Sequence, residues 1–598
     1  MKHWKCFTFI LVIITGGLRA IGVLADTANT VVPPQIAQEI AAHTGHFEPR
    51  IYRVGTRVYS AVGWNISNIV MIEGTDGIIL IDAGLSPASS REVLAEFRKI
   101  TDKPIKAIIY SHFHHDHIDG IKGLVSEAQI SESGIRLIAH ESLLDNLTDE
   151  SLLLGPILAL RGGYTFGFML NEADRKGMNA GIGPLPEGGR PGSFIAPNEW
   201  VGDRLQTEIA GIALDIMHVP SEAPDELAVY LPDDNILIDT EVLQGPTFPN
   251  VYTLRGTKFR DPAVWVHSID RLRALKANYL VPTHGQPVYG AEKVDEVLTM
   301  TRDGIQYLLD QSVRWMNRGY TPDELAQYIK LPPHLESYAP YLRPYYGTVQ
   351  QAVREIYVGQ LGWYEADPVA LNPVPRRERS SRLVKLMGGY EAVWEAAQNA
   401  LDAEDFQWAA ELSTILLRAN ATDTKARGIK AAAFRQMGYA SININWRNWY
   451  LTSAMELEGG LDERLAAVDM QAVFLPPDIV AALPTGAILR SMTSRLKAED
   501  ALNTKETLAI KIKDERPAAF GLEIDRGVCR FIEGLPASAD YVLTMDRGTL
   551  NAIVIGQGSF ADAVGTAKAQ LAGDSDSFFA FIDLFEDPWR VKPPLTLR

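Results

Sequence analysis

The stretch Ser111-His112-Phe113-His114-His115-Asp116-His117-Ile118-Asp119-Gly120 decides how the chain is read. Four of the twelve histidines fall within six positions of it, together with a carboxylate. Neutral imidazole is the commonest protein ligand for zinc, and a carboxylate is the usual oxygen ligand beside it. The stretch follows Lys106-Ala-Ile-Ile-Tyr110, an apolar run that reads as a buried strand. Where the chain is still extended, side chains at i and i+2 point the same way, so His112 and His114 can converge on one metal. Where it turns, Asp116 and His117 can face a second metal. His115 is left pointing outward.

Working toward the N-terminus, Asn68-Ile-Val-Met-Ile-Glu73 and Gly77-Ile-Ile-Leu-Ile-Asp82 read as strands joined by a short hairpin turn. Ser89 to Ile100 has helical periodicity. Residues 26 to about 48 read as a polar, Ala-rich, mobile lead-in. The opening has the marks of a signal peptide: Lys2 and Lys5, an apolar run from Cys6 to Thr15, and Val23-Leu24-Ala25 as a small-residue cleavage site. An exported, periplasmic or secreted protein is expected. Removal of residues 1–25 takes away Lys2, Lys5 and Arg19 and makes the net charge of −17 more negative still. Such a surface repels nucleic acid and anionic membranes. It also leaves Cys529 alone, so no intramolecular disulfide is expected.

Toward the C-terminus, residues 141–205 form a longer, Gly-rich insertion. Its Gly177-Met-Asn-Ala-Gly-Ile-Gly-Pro-Leu-Pro186 segment reads either as an anion cradle near the site or as a plain surface loop. Tyr164, just upstream, is a candidate hydroxyl donor to substrate. Strands are expected over Ile212–Met217, Leu227–Leu231, Asn235–Asp239 and near Tyr279. From Ala291 to about Leu461 the apolar spacing is helical, with Tyr390–Leu401 and Phe406–Leu417 as an Ala-rich pair. Past Phe474-Leu-Pro-Pro477 partial alternation returns, as antiparallel strands and two helices.

His-x-His-x-Asp-His followed by Gly resembles the metallo-β-lactamase superfamily. The resemblance implies an αββα sandwich with a dinuclear metal site at the sheet edge. It implies that Asp82 supports a ligand histidine, and that Glu222, in His218-Val-Pro-Ser-Glu222, stands where relatives carry a ligand histidine. His218 matches a non-ligand position. Glu241 stands where a bridging Asp is common, and His284, in Pro282-Thr-His284-Gly285, is the last ligand. The implied set is His112, His114 and Glu222 on one Zn2+, Asp116, His117 and His284 on a second, and Glu241 between them. Carboxylate in place of imidazole should make water at the site less acidic.

Ser221-Glu222-Ala-Pro-Asp-Glu226, Asn250-Val-Tyr-Thr-Leu-Arg-Gly256 and Gly362-Trp-Tyr-Glu-Ala-Asp-Pro368 narrow the resemblance to the zinc-dependent alkyl sulfatases. This implies an α/β protein in three parts: a metallo-β-lactamase-type catalytic domain (26–290), an all-α dimerisation domain (291–473), and an α+β domain like sterol carrier protein 2 (474–598). It implies a homodimer and an amphiphilic alkyl sulfate substrate. Asp116 and Arg255 are candidate catalytic groups, Arg255 reading either as a bidentate sulfate fork or as half of a surface salt bridge. The open alternatives are another hydrolase on the same site, acting on β-lactam, lactone or phosphate ester, and a metal-binding lipid carrier. The chain departs from that family at Gln350-Gln351-Ala352, where the family has Ser-His-Asn with its histidine beside the sulfate pocket; Gln351 is expected in that place, unable to carry a positive charge, with weaker sulfatase activity or a shifted ester substrate as the result.

Overall fold

The computed structural model describes residues 32–186, 191–516 and 518–597. The expected signal peptide lies outside the described residues. Seven strands form a first sheet in sequential order: β1 (Arg50–Val54), β2 (Val58–Val62), β3 (Ile69–Glu73), β4 (Ile78–Ile81), β5 (Ile105–Ile109), β6 (Arg136–His140) and β7 (Glu199–Val201). Pairing is antiparallel from β1 to β4 and parallel from β4 to β7. The second sheet is built from β8 (Arg204–Ile209), β9 (Ile212–His218), β10 (Leu227–Leu231), β11 (Ile236–Thr240), β12 (Tyr279–Pro282) and β13 (Val288–Tyr289), in the order β13-β12-β11-β10-β9-β8.

The central strands are apolar on both faces, so both faces must be covered. In β4, Ile79 and Ile81 point between the sheets, where they meet Ile216, Val229 and Ile238. Ile78 and Leu80 point outward onto Val93 and Phe97 of the helix Pro87–Arg98. The outer face of the second sheet packs Leu237 and Leu280 against the helices Pro262–Arg273, Ala291–Met316 and Val349–Leu361. This is the expected αββα sandwich. The expected boundary at 290/291 therefore falls inside one hydrophobic core.

Four helices, Tyr390–Asp402, Phe406–Ala419, Thr424–Tyr439 and Ile444–Glu458, stack in sequence on a small-residue core of Ala397, Ala409 and Ala433. The last part is a five-stranded sheet of β14 (Lys505–Ile512), β15 (Ala519–Asp525), β16 (Val528–Glu533), β17 (Tyr541–Met545) and β18 (Gln570–Ala572), with the helices Arg547–Val554 and Phe560–Gly565 before β18 and Ser575–Asp583 after it. Leu508, Ile510 and Ile512 alternate onto its core.

The lead-in reading is corrected. Pro34–Thr44 is a helix that buries Ile40 and His43, and a 3₁₀ turn then buries Phe47. His43 stacks on Tyr345 at 3.7 Å, and its Nε2 lies 2.9 Å from the Pro246 carbonyl. The stripe Ile36, Ile40, His43, Phe47 has helical spacing, with a histidine in an apolar place.

Candidate active site and metal centre

The motif begins one residue past β5, beside the end of its parallel neighbour β4. Glu222 lies in the β9–β10 loop, Glu241 follows β11, and His284 follows β12, the parallel neighbour of β11. Carboxyl ends of adjacent parallel strands thus supply most of the site, from both sheets. Two strand ends are strained to do so: Asp82 and Thr240 take φ of 64° and 60°. Gly120 is needed because a Cβ there would lie 2.0 Å from the Ala83 carbonyl oxygen, so the turn after His117 could not close onto β4.

The side chains converge as two groups. His112, His114, Glu222 and Glu241 bring ligand atoms within 4.8 Å of one another, and so do Asp116, His117 and His284. Glu241 Oε2 stands between them, 3.3 Å from His112 Nε2, 3.1 Å from His117 Nε2 and 3.4 Å from His284 Nε2. Glu222 Oε2 is 3.0 Å from His114 Nδ1. His117 Nε2, His284 Nε2 and Glu222 Oε2 are buried without hydrogen-bond partners, an arrangement that a metal ion relieves. The donor set therefore fits metal.

The surrounding groups orient these ligands. His117 Nδ1 lies 2.7 Å from Asp82 Oδ2, and Asp82 Oδ1 accepts from the Ser111 amide at 2.7 Å. His284 Nδ1 faces the Ile66 carbonyl at 2.9 Å, and His112 Nδ1 faces Ser111 Oγ at 3.0 Å. Each ring keeps Nε2 for the centre. Burial pushes His112 down to about 4, so it is a neutral ligand at neutral pH. Burial opposes charge on Glu241, but His284, His112 and His117 outweigh it and hold the carboxyl well below its usual range. Glu226, pushed well up by burial and by Glu241, accepts from Thr240 Oγ1 at 2.8 Å and from the Glu241 amide at 2.5 Å. It fixes the strained turn that carries Glu241.

His218 stays out of the cluster: Nε2 faces the Pro224 carbonyl at 2.8 Å and the ring stacks on His140. His115 does not point outward. It lines the cavity beside the site, with Nδ1 3.0 Å from Asp119 Oδ2 and its ring against Phe474.

That cavity, about 290 Å³, opens onto His114, Asp116, Glu222 and Glu241. Among the described residues Arg255 is the one Lys or Arg that lines it; its Nη1 donates to Glu150 Oε1 at 2.5 Å. One wall is apolar, with Leu158, Phe166, Phe168, Ile182 and Phe474. The Gly-rich segment supplies Ile182, Pro184 and Leu185 to that wall, and its Ala180 and Gly181 amides are spent on the Gly183 carbonyl and Asn179 Oδ1.

Two expectations are overturned. Tyr164 is fully buried, its hydroxyl donates to Glu456, and it does not line the cavity. It sits on the helix Gly155–Phe166, on the side facing Trp449. Gln351 is held at the start of the helix Val349–Leu361 by the cap residue Thr348: its backbone amide donates to Thr348 Oγ1, its Oε1 accepts from Thr348 Oγ1, and it does not line the cavity. Tyr346 takes the cavity position. Sequence reasoning also missed Glu150 and the role of Arg260, whose Nη2 pairs with Glu222 Oε1. Only contact across the fold reveals these.

Residues 62–284 match the family described as metallo-beta-lactamase superfamily, which gives the class of site. Residues 321–460 match alkyl sulfatase dimerisation and residues 474–590 match alkyl sulfatase C-terminal. The chain is 50% identical over 519 residues to the linear primary-alkylsulfatase of Pseudomonas sp. (strain ATCC 19151), covering 86% of this chain and 98% of that one. It is 30% identical to the alkyl/aryl-sulfatase BDS1 of Saccharomyces cerevisiae, over 94% of this chain and 85% of that one. The solved structure of the stereoselective inverting sec-alkylsulfatase Pisa1 from Pseudomonas sp. superposes with a TM-score of 0.83 at 28% identity, over 94% and 88% of the two chains. The chain belongs to the alkyl sulfatase family of the metallo-β-lactamase superfamily.

Proposed function

We propose that this protein hydrolyses alkyl sulfate esters to alcohol and sulfate at a dinuclear zinc centre. One observation carries the reading: a seven-residue candidate ligand cluster opens through four of its members onto a cavity that also holds an apolar wall and, among the described residues, one arginine. His112, His114 and Glu222 would hold one zinc, and Asp116, His117 and His284 the other, with Glu241 between. The mixed imidazole and carboxylate set suits zinc. Bound there, zinc supplies Lewis acidity and makes water a nucleophile near neutral pH.

The chain's own groups do the rest. Arg255 receives the sulfate on the guanidinium edge that Glu150 leaves free. Tyr346, whose hydroxyl burial keeps protonated, donates a hydrogen bond into the cavity. Leu158, Phe166 and Phe474 hold the alkyl chain and exclude water. The names of the relatives support the same substrate class.

Export through residues 1–25 into the periplasm or medium, and a homodimer through the dimerisation region, belong to the same reading. A panel of dodecyl sulfate, an aryl sulfate, a phosphate monoester, a lactone and a β-lactam tests it. Dodecyl sulfate should be the fastest; faster turnover of the lactone, the phosphate ester or the β-lactam refutes it. N-terminal sequencing of exported protein should begin at Asp26, and light scattering should give a dimer.

A further inference from the structure

The cavity is poor in positive charge for an anion's site. Among the described residues, Glu92, Asp116, Asp119, Glu150, Glu222 and Glu241 line it, against Arg255 alone among lysines and arginines. Three of these carboxylates are ligands in the reading above, and Asp119 faces His115. Glu150 is different. It sits on the one-turn π-helix Asp149–Leu153, reaches no metal group, and spends its charge on Arg255.

The contact is built rather than incidental. Both side chains are mostly withdrawn from solvent, at 13% and 17% exposure. Next to it, Lys258 Nζ donates to Asp149 Oδ2 at 2.5 Å, so the π turn and the 255–258 loop are tied by two adjacent ion pairs. Arg161 holds the same loop through the Leu254 carbonyl, at 3.1 Å from Nε and 2.8 Å from Nη2. Arg255 gives only Nη1 to Glu150; Nε and Nη2 have no acceptor among the described residues, and the side chain faces the cavity. An anion on that free edge lies a few ångströms from a fixed carboxylate.

We propose that Glu150 sets the charge selectivity of this site, so that a singly charged alkyl sulfate is accepted on Arg255 while doubly charged inorganic sulfate is expelled. The inference rests on the alkyl sulfatase reading. An alkyl sulfate carries one negative charge; the inorganic sulfate formed from it carries two at neutral pH. Coulomb repulsion by one fixed charge is proportional to the ligand's charge, so Glu150 opposes the product by twice the free energy with which it opposes the substrate. Repulsion and orientation come from the same contact: the pair that aims the guanidinium also loosens the product.

The test is calorimetric binding to the zinc-loaded full chain, at fixed ionic strength, of inorganic sulfate and of hexane-1-sulfonate, a singly charged anion that cannot be hydrolysed. Glu150→Gln keeps the size and a hydrogen bond to Arg255 but removes the charge. It should tighten sulfate about tenfold or more, and the sulfonate by about the square root of that factor, roughly threefold. Glu150→Asp, which keeps the charge, should leave the ratio of the two affinities within about twofold of the unmodified protein. Equal gains for both anions, weaker sulfate binding in the Gln variant, or no binding of either anion overturns the proposal. Should Glu150→Gln not fold, Glu150→Ala removes the same charge and is read by the same criterion. Failure of the substrate panel with a square-root relation intact would refute the alkyl sulfatase reading alone. Hydrolysis of dodecyl sulfate with equal shifts would refute Glu150 alone.

Discussion

Replacing Asp82 by Asn tests how the site fixes its ligands. Asp82 is fully buried, and its two oxygens take the Ser111 amide at 2.7 Å, Ser111 Oγ at 3.0 Å and His117 Nδ1 at 2.7 Å. The carboxylate can only accept, so the proton of His117 sits on Nδ1 and Nε2 is left for metal. Asn tolerates the left-handed backbone that Asp82 adopts at φ 64°, so the turn survives. Its Oδ1 can still accept the Ser111 amide, but its Nδ2 must then face His117 Nδ1. The ring responds by moving its proton to Nε2, 3.1 Å from Glu241 Oε2, where it blocks ligation. Loss of such a supporting group typically weakens metal binding 10–100-fold, about 1.4–2.8 kcal/mol. The assay is competition with a graded series of chelators, with metal content measured alongside. One of two zinc equivalents should weaken by that amount while the other changes little. An Asn variant that holds both equivalents as tightly as the unmodified protein would refute the argument that Asp82 sets the tautomer.

Glu222→Ala should lose metal and turnover, whereas His218→Ala should keep both metals; elemental analysis decides, and the opposite pattern would reassign the ligand. Tyr164→Phe should keep kcat/KM within about threefold yet lower the melting temperature, since it strips a buried hydroxyl from Glu456, a loss of about 1–3 kcal/mol. Gln351→His with Ala352→Asn should give no tenfold gain on dodecyl sulfate, because Gln351 is bonded to the helix cap Thr348 and does not line the cavity; a gain of about tenfold would return it to the sulfate pocket. Burial lowers His43 to about 4 from 6.5, so its contribution is present above pH 6.5 and is lost as pH falls from there toward 4, at most about 3 kcal/mol. Hydrogen exchange should then show the helix Pro34–Thr44 undocking between pH 7 and pH 5, and His43→Phe should abolish that dependence.

The residues that converge in the two candidate metal groups were legible because metal chemistry is local. The i, i+2 pair after an apolar strand, and a histidine before glycine at another strand's end, need little tertiary knowledge. What failed needed to know which face of an element looks inward. Leu158 and Tyr164 share one helix, yet only Leu158 reaches the cavity. Six residues at about 100° each place them about 120° apart around the helix, so nearness in sequence to the site carried no information. Glu150 has no signal of its own, since an Asp-Glu pair in a polar stretch is usually solvated. The N-terminal helix was hidden because its stripe spends a position on His43, which is apolar in effect only once burial holds it neutral. Gln351 was judged by its place in a motif, while at the helix start the cap residue Thr348 claims it.

The carboxylate at position 222 changes meaning once Arg260 is placed. Exchanging imidazole for glutamate adds a negative charge beside Glu241, and that alone would raise both carboxyls and make water at the centre less acidic. The fold puts a guanidinium on the opposite oxygen of the same carboxylate, with the Arg260 side chain 3% exposed. Burial and Glu241 push Glu222 upward, yet Arg260 and His114 outweigh them and hold it below its usual range. The added charge is thus matched one for one at the ligand, and the centre keeps the net charge it would have with a histidine there. Arg255 and Glu150 repeat the device on the other side of the cavity, where the fixed acid restrains an arginine rather than the reverse. Two arginine–glutamate pairs therefore divide the work. Arg260 adjusts what the metals feel, and Glu150 adjusts what the bound anion feels, so Arg260→Ala should change metal affinity while leaving the sulfate-to-sulfonate ratio alone.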